Sequence, residues 1–152
     1  MFIGVAVKEG APKPDITTVE AFKLALLAAP SVTYIDPAAG GSSGIYLDGL
    51  LTRLGIGDQV RPKAVLMSGG YVAERLVSGD AALAIHQISE LKAVAGVTVV
   101  GPLPAAIGSA TIYTGAVAAT APQPEAAQAL LAFLSSDAAV SVLSEKGMES
   151  PR

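Results

Sequence analysis

The sequence predicts an α/β domain in which helices flank a mostly parallel sheet. Short runs rich in Val and Ile, of strand length, alternate with segments in which apolar residues recur every three or four positions. Turns rich in Gly and Ser join the two kinds of segment. The 152 residues, 51% of them hydrophobic, are enough for one buried core. Strands that alternate with helices favour parallel pairing with right-handed crossovers, which gives the fold class.

The first third of the chain already shows this alternation. A strand is expected at residues 2–8, followed by a helix whose start carries Thr17 and Glu20 in the spacing of a capping box. A second strand is expected at 31–35. It leads into DPAAGGSSGIY, residues 36–46, and Leu residues three and four positions apart then predict a second helix.

The remainder continues the pattern and ends in two helices. Further strand-length runs lie at 64–67, 82–88, 97–100 and 111–118. Helices are predicted after Ser68-Gly69-Gly70, after Ser89, from Pro124 to Leu134, and after Ser136. No internal repeat or interdomain linker is recognisable, so we expect a single domain over 1–152. Its core would occupy about 1–118, with C-terminal helices at about 122–152.

Composition narrows the function classes. The chain has 10 Lys and Arg against 13 Asp and Glu, without a basic cluster, so we expect no nucleic-acid partner. The absence of Cys excludes disulfides and thiolate ligands, and a single His gives no metal-ligand spacing, so neither metal nor cofactor is expected. Residues 93–124 carry no charge, but Gly and Pro divide them into strand-length runs, so no membrane span is expected.

One short motif suggests catalysis. Residues 40–44 read G-x-S-x-G, the pattern of a nucleophile elbow, and a serine hydrolase would need Ser42, His86 and an acid such as Asp58 or Asp80. No oxyanion loop is recognisable before the serine. His86 lies inside an apolar strand, where a lone histidine is more often structural. We therefore predict no catalytic residue and no enzymatic activity.

The same segment is also typical of an anion site. A Gly- and Ser-rich loop between a strand and a helix directs unpaired backbone N–H groups outward at the positive end of the helix dipole. Ser68-Gly69-Gly70 repeats this arrangement before the next predicted helix. The ligand-binding residues predicted from these two loops are Gly41, Ser42, Ser43, Gly44, Gly69 and Gly70. The alternative, that both loops are ordinary caps and tight turns, stays open.

Several segments together resemble a known family. They are residues 3–16, 36–46, 101–104, 133–135 and 145–148. In these segments the chain resembles the molybdate-type periplasmic solute-binding proteins of ABC transporters. The resemblance implies a single lobe of a type 2 periplasmic-binding-protein fold, namely the second lobe with the C-terminal helices, while the first lobe has no counterpart.

The resemblance also implies a function. It implies a lobe that recognises a small anionic or polar solute without catalysis, with an ABC permease as a partner. By position, the backbone N–H groups of Ser43 and Gly69 would face the ligand. Gln87 stands where molybdate binders have a tyrosine that contacts the ligand, which argues against molybdate itself.

Two expectations follow for the assembly and the compartment. The alternative function is a structural or interaction role, in which the chain homodimerises through the surface left by the missing lobe, using residues 111–118 or the last helices. The resemblance implies the periplasm. The N-terminal MFIGVAVKEG lacks the basic region of an export signal, which favours the cytoplasm if Met1 is the natural start.

Overall fold

The structure, a computed structural model, describes residues 1–149. The strands are β1 (Ile3–Lys8), β2 (Val32–Ile35), β3 (Ala64–Met67), β4 (Leu83–Gln87) and β5 (Val97–Pro102). The helices are α1 (Val19–Ala28), α2 (Ser42–Arg53), α3 (Gly57–Val60), α4 (Glu74–Ser78), α5 (Ile88–Lys92), α6 (Pro124–Leu134) and α7 (Asp137–Glu145). The α/β architecture predicted from the alternating pattern is therefore confirmed.

Within residues 1–149, five strands form one sheet in the order β3–β2–β4–β1–β5. β2 lies between β3 and β4 and pairs parallel with both, whereas β1 pairs antiparallel with β4 and β5. All the strands except β1 therefore run in one direction, as the sequence predicts. The carboxyl ends of β3, β2 and β4 meet at one edge, which is where open parallel sheets place their ligand sites.

Two apolar cores cover the two faces of the sheet. On one face α1, α2 and α3 pack against the alternate side chains of the strands; the largest buried residues there include Phe22, Leu26, Tyr34, Leu50 and Leu51. On the other face α4 and α5 cover a smaller core built around Leu76 and Leu91. Helices on both faces of the sheet make a three-layer fold that fixes the strand ends.

The last two helices lie outside both cores. None of the described side chains of α6 is buried, and in α7 only Ala139 is. In the described residues no single helix is long and apolar enough to cross a membrane. The α6–α7 pair, bent by 59°, meets that criterion by length and composition only. The predicted C-terminal helical region runs to residue 152, of which 150–152 lie outside the described residues.

Four local predictions are wrong. The helix expected after Ser89 begins one residue before it, at Ile88, with Gln87 as its N-cap. The β-rich run 111–118 forms no strand; one isolated bridge joins Phe2 to Ala110, and the residues after it find no neighbouring strand. The N-cap of α1 is Thr18 rather than Thr17, because the Thr18 hydroxyl accepts from Ala21 N–H at 3.1 Å while Thr17 bonds Asp15. The helix expected directly after Ser68-Gly69-Gly70 begins only at Glu74.

Candidate functional site

A pocket of about 520 Å³ opens at the carboxyl ends of the three parallel strands. Its wall is formed by Ile35, Ala39, Gly41, Ser42, Ser43, Ser68, Gly69, Gly70, Tyr71, His86, Gln87, Glu90 and Tyr113. The wall residues come from the end of β2 and the segment up to the start of α2, from the loop after β3, and from the β4–α5 junction. Tyr113 comes from the irregular segment after β5. All but one of the predicted ligand-binding residues line this pocket. Whether they contact a ligand stays a prediction.

The start of α2 presents backbone donors to the pocket. The first backbone hydrogen bond of the helix runs from Ile45 N–H to Gly41 O, at 3.0 Å. The N–H groups of Ser42 and Ser43 therefore precede the helical ladder. Gly41 is the N-cap and provides no capping side chain, so nothing of its own blocks these donors. Together with the helix dipole they favour negative charge in the pocket.

Gly44 has a different task from its neighbours. It is buried and is not part of the pocket wall. A Cβ at this position would collide with the main-chain carbonyl of Ile35, at the end of β2. Gly44 therefore allows the first turn of α2 to lie directly against the strand. The structure gives this predicted ligand-binding residue a packing role.

The loop after β3 forms the opposite wall of the pocket. Ser68, Gly69 and Gly70 are exposed and irregular, and Tyr71 follows before α4 begins. Gly70 has φ +77°, a conformation that favours glycine, while a side chain at Gly69 would meet open space. Because α4 begins at Glu74, this loop supplies main-chain and hydroxyl groups without a helix terminus behind them.

Gln87, at the end of β4, links three parts of the site. Its side-chain NH2 donates to the Ser42 hydroxyl at 3.3 Å and to the Thr111 hydroxyl at 3.2 Å. Gln87 is buried, with 6% of its surface exposed. Both amide hydrogens are thereby used inside the protein, which leaves the amide oxygen as its remaining polar atom. Gln87 thus fixes the start of α2 and ties the C-terminal segment to the pocket.

His86 is also part of the pocket wall, although only 9% of its surface is exposed. Burial lowers the pKa of the imidazole, and the nearby Glu90 carboxylate offsets this only in part. The Gln87 backbone N–H donates to His86 Nδ1 at 2.7 Å. A neutral imidazole that accepts at Nδ1 carries its proton on Nε2. In its neutral form, which burial favours by lowering the imidazole pKa, His86 therefore has an Nε2–H available to donate.

The charge of the pocket is unusual for an anion site. Among the described residues no Lys or Arg lines it, and Glu90 is its one carboxylate. The acids considered for a serine hydrolase lie elsewhere: Asp58 is in α3, and Asp80 bonds Arg75 and Ser78 on the surface. Since His86 Nδ1 accepts a hydrogen bond, it cannot donate to an orienting acid. The geometry does not support a Ser-His-Asp triad.

The sequence does not predict seven residues of the pocket wall as ligand-binding: Ile35, Ala39, Ser68, Tyr71, His86, Glu90 and Tyr113. His86 was read as structural because it lies within an apolar run. The signal that could have found it is its position, one residue before the end of a strand that runs parallel to β2. Glu90, in the first turn of α5, could have been found by the same rule. Tyr113 comes from the irregular C-terminal segment, which no sequence pattern places here.

Comparisons with known proteins give a family and a curated relative for this chain. A family model described as bacterial extracellular solute-binding protein matches residues 2–149. A curated relative, aconitate isomerase from Pseudomonas sp, is 40% identical over 149 residues, which cover 97% of this chain. The chain spans 55% of the length of that relative.

Two solved structures share the fold. One is the substrate-binding domain of a molybdenum ABC transporter protein from Clostridium difficile, with a TM-score of 0.70 and 17% identity; it is matched over 99% of this chain and 63% of its own. The other is the periplasmic molybdate-binding protein of Azotobacter vinelandii, with a TM-score of 0.60, 16% identity, and coverage of 99% and 66%. At such low identity these structures support the fold alone.

The prediction that the chain is not an enzyme is wrong. It rests on the absence of a recognisable catalytic motif, whereas the 40% identical relative is named as an isomerase. The relative points to enzymatic activity on the same scaffold. The absence of a known catalytic motif therefore does not exclude catalysis in this chain.

Proposed function

The chain belongs to the bacterial extracellular solute-binding protein family, and we propose that its pocket binds a small polycarboxylate, aconitate, and isomerises it. The binding part of this proposal is supported by the convergence of the α2 N-terminus, the loop 68–71 and the end of β4 on one pocket. That convergence is the observation on which the proposal depends.

The pocket suits a carboxylate in its supply of neutral donors. Ser42, Ser43, Ser68, Tyr71 and the glycines of the loop line one volume. Their backbone N–H groups and hydroxyls are the donors proposed for the ligand. Such donors stabilise an anion without a cationic side chain, since the helix dipole contributes partial positive charge. Carboxylate oxygens accept several hydrogen bonds each, so a molecule with several carboxylates can use donors from separate walls.

The choice of substrate comes from the relative of this chain. Its name states both a substrate, aconitate, and a reaction, isomerisation. Aconitate is an unsaturated tricarboxylate, which agrees with the anionic class indicated by the helix terminus. Molybdate, suggested by the titles of the fold neighbours, is a weaker candidate, because Gln87 uses both amide hydrogens within the protein.

Two further partners belong to the proposal. The family implies a role in uptake, so an ABC permease stays a proposed partner. The pocket is open on one side and the chain spans about half the length of its curated relative. We therefore expect a second protein surface to close the pocket over the ligand in the active protein.

The proposal is tested by binding and turnover measured on the same protein. Aconitate, its saturated analogue propane-1,2,3-tricarboxylate, succinate, sulfate and molybdate are compared in a thermal-shift series. A ligand present at 100 times its Kd stabilises the folded state by about 2.7 kcal/mol. We expect the two tricarboxylates to stabilise the folded protein. We also expect the protein to convert trans- into cis-aconitate, which chromatography measures. A protein that neither binds nor converts aconitate would contradict the proposal.

A second candidate function, an interaction role through homodimerisation, is favoured by the C-terminal apolar surface. We define this surface as the exposed side chains Ile112, Leu130, Phe133, Leu134 and Val142. Beside it lies an apolar groove of about 850 Å³, lined in part by Phe2, Leu131, Leu143 and Met148. An exposed apolar patch of this kind is typical of a surface that binds another protein, and we propose a second copy of the chain as its occupant.

Light scattering over a dilution series tests the dimer. The wild type should have twice the mass of the chain, and Phe133→Glu should be monomeric with unchanged helical content. Glu125→Gln, an exposed change in the first turn of the same helix, serves as the control. A wild type that is monomeric at all concentrations would contradict the dimer without bearing on the ligand site.

A further inference from the structure

We propose that Glu90 and His86 divide the proton chemistry of the pocket: Glu90 carries the proton, and neutral His86 donates a hydrogen bond to the ligand. This inference rests on the proposed isomerisation and assigns its residues. The two side chains lie four positions apart, across the junction of β4 and α5, and both line the pocket.

His86 is suited to donate rather than to accept. The residue has 9% of its surface exposed, and Nδ1 accepts from the Gln87 N–H at 2.7 Å. Within residues 1–149 no protein group accepts from Nε2, yet this atom is not sealed from the pocket. This nitrogen is therefore accessible from the pocket, where solvent or a ligand can accept from it. A ligand carboxylate would satisfy it.

Glu90 has no evident role in binding. Within the described residues it is the one carboxylate of the pocket wall, and its side chain makes no hydrogen bond or ion pair there. Its charge repels a carboxylate ligand, so a site that served binding alone would be better without it. A proton carrier explains its presence, because isomerisation of an alkene next to carboxylates needs a group that takes and returns a proton.

The step balances without a further reactant. Glu90 removes a proton from the saturated carbon next to the double bond, and the C–H electron pair spreads over three carbons and the adjoining carboxylates. His86 Nε2–H and the α2 donors stabilise the added charge. Glu90 then returns the proton to the far carbon, so the double bond changes place and its geometry is set anew. Nothing is oxidised or reduced.

A cationic His86 would not fit this arrangement. The titratable groups that line the pocket beside His86 are Glu90, Tyr71 and Tyr113, and among these only Glu90 has an influence on the imidazole pKa. Burial outweighs that influence and lowers the pKa of His86. A neutral imidazole can donate to a forming anion without first losing a proton, as neutral histidines do in some isomerases.

The tests use substitutions at both positions. Glu90→Gln should lower kcat by about 10²- to 10⁴-fold, since a proton carrier is removed. KM should change little or fall, because a repulsive charge is lost. Glu74→Gln is the matched control, since Glu74 is also acidic in the first turn of a five-residue helix but does not line the pocket.

Two variants test the hydrogen bond proposed for His86. His86→Gln keeps a hydrogen-bond donor near the position of Nε2, whereas His86→Leu removes it. We therefore expect the kcat of His86→Gln to be at least about 10-fold higher than the kcat of His86→Leu.

A spectroscopic readout separates this inference from the proposed function. His86 is the one histidine of the chain, so its ring signals in NMR need no assignment. We expect a titration midpoint below the ordinary histidine range, a shift when aconitate is added, and a neutral ring in the complex at pH 7. If the protein converts aconitate but Glu90→Gln is as active as Glu74→Gln, or His86 becomes protonated on binding, the inference is overturned while the function stands. If the wild type neither binds nor converts aconitate, both are overturned.

Discussion

Helices α2 and α6 are of similar length and both carry several leucines, yet the leucines of α2 are buried and those of α6 are not. α2 has 12 residues and buries Leu47, Leu50 and Leu51 against the sheet. α6 has 11 residues, and its described side chains remain partly or fully exposed, Leu130 at 57% and Phe133 at 59%. Apolar spacing therefore predicts a helix and its apolar side, but not the surface that this side will meet.

The difference extends to the segments that hold each helix. α2 contacts β2 along its first turns, whereas residues after Ala110 are joined to the sheet by a few polar contacts. These include Met1 N-terminus to Thr111 O at 3.2 Å and the Gln87–Thr111 bond. Segments with few buried apolar contacts open at low free energy. We therefore expect the segment after Ala110 to open at lower free energy than the sheet. The Gln87–Thr111 bond connects this segment to the pocket.

The largest effect should separate the two helices directly. Leu50→Ala leaves a cavity in the larger core and should lower the free energy of unfolding by about 2–5 kcal/mol. Leu130→Ala, measured in dilute protein, should stay within about 0.5 kcal/mol of the wild type, because the side chain is already exposed. Urea titration of both variants measures this. Equal losses would mean that α6 has a partner within the same chain.

A smaller effect tests the close contact between α2 and β2. In Gly44→Ala the added methyl group collides with the main chain of Ile35, so we expect a loss of about 1–3 kcal/mol. Gly49→Ala, in the same helix, meets only the end of Arg53 and should be neutral or stabilising by up to about 1 kcal/mol. If Gly44→Ala melted like Gly49→Ala in a thermal scan, the predicted contact would be absent.

The smallest effect concerns a polar atom in the core. The Thr33 hydroxyl is fully buried in β2 and has no hydrogen-bond partner in the described part of the chain. Thr33→Val removes this unsatisfied group at nearly constant volume and should raise the free energy of unfolding by about 1 kcal/mol. Thr114→Val, in the exposed C-terminal segment, should change it by less than about 0.5 kcal/mol. Chemical denaturation that destabilised Thr33→Val would show that the hydroxyl has a partner.

Much of the sheet could be read from the sequence, because strand ends, caps and helix periods are local signals. Pro124–Leu134 and the N-cap at Ser136 appear where predicted, as does β3 at Ala64–Met67. The strand predicted at 111–118 is wrong, because β propensity describes residues that fit a sheet and cannot supply a neighbouring strand. The antiparallel direction of β1 likewise depends on which strand it meets, β4, and no local pattern encodes that.

The site was predicted in part for the same reason. Gly41, Ser42, Ser43, Gly69 and Gly70 line the pocket, and the sequence points to them because loops of small residues at strand ends are a local signal. Their contact with a ligand stays a prediction. The role proposed for His86 and Glu90 is not predicted, because it depends on β4 lying next to β2, and no local pattern encodes this pairing. The non-enzyme prediction is wrong because it relied on the absence of a known motif, whereas the 40% identical relative is named as an isomerase.

The central claim is that main-chain donors at the start of α2 bind the anion, and one pair of variants tests it. Ser42→Pro removes the N–H at the first helical position, where proline is tolerated, and Gly41 before it already has the extended ψ of 129° that proline requires. Ser42→Ala removes only the hydroxyl. By calorimetric titration with aconitate, we predict that Ser42→Pro binds at least about 10-fold more weakly than Ser42→Ala, as expected for a lost charge-assisted hydrogen bond. Equal affinity of the two folded variants would contradict the account.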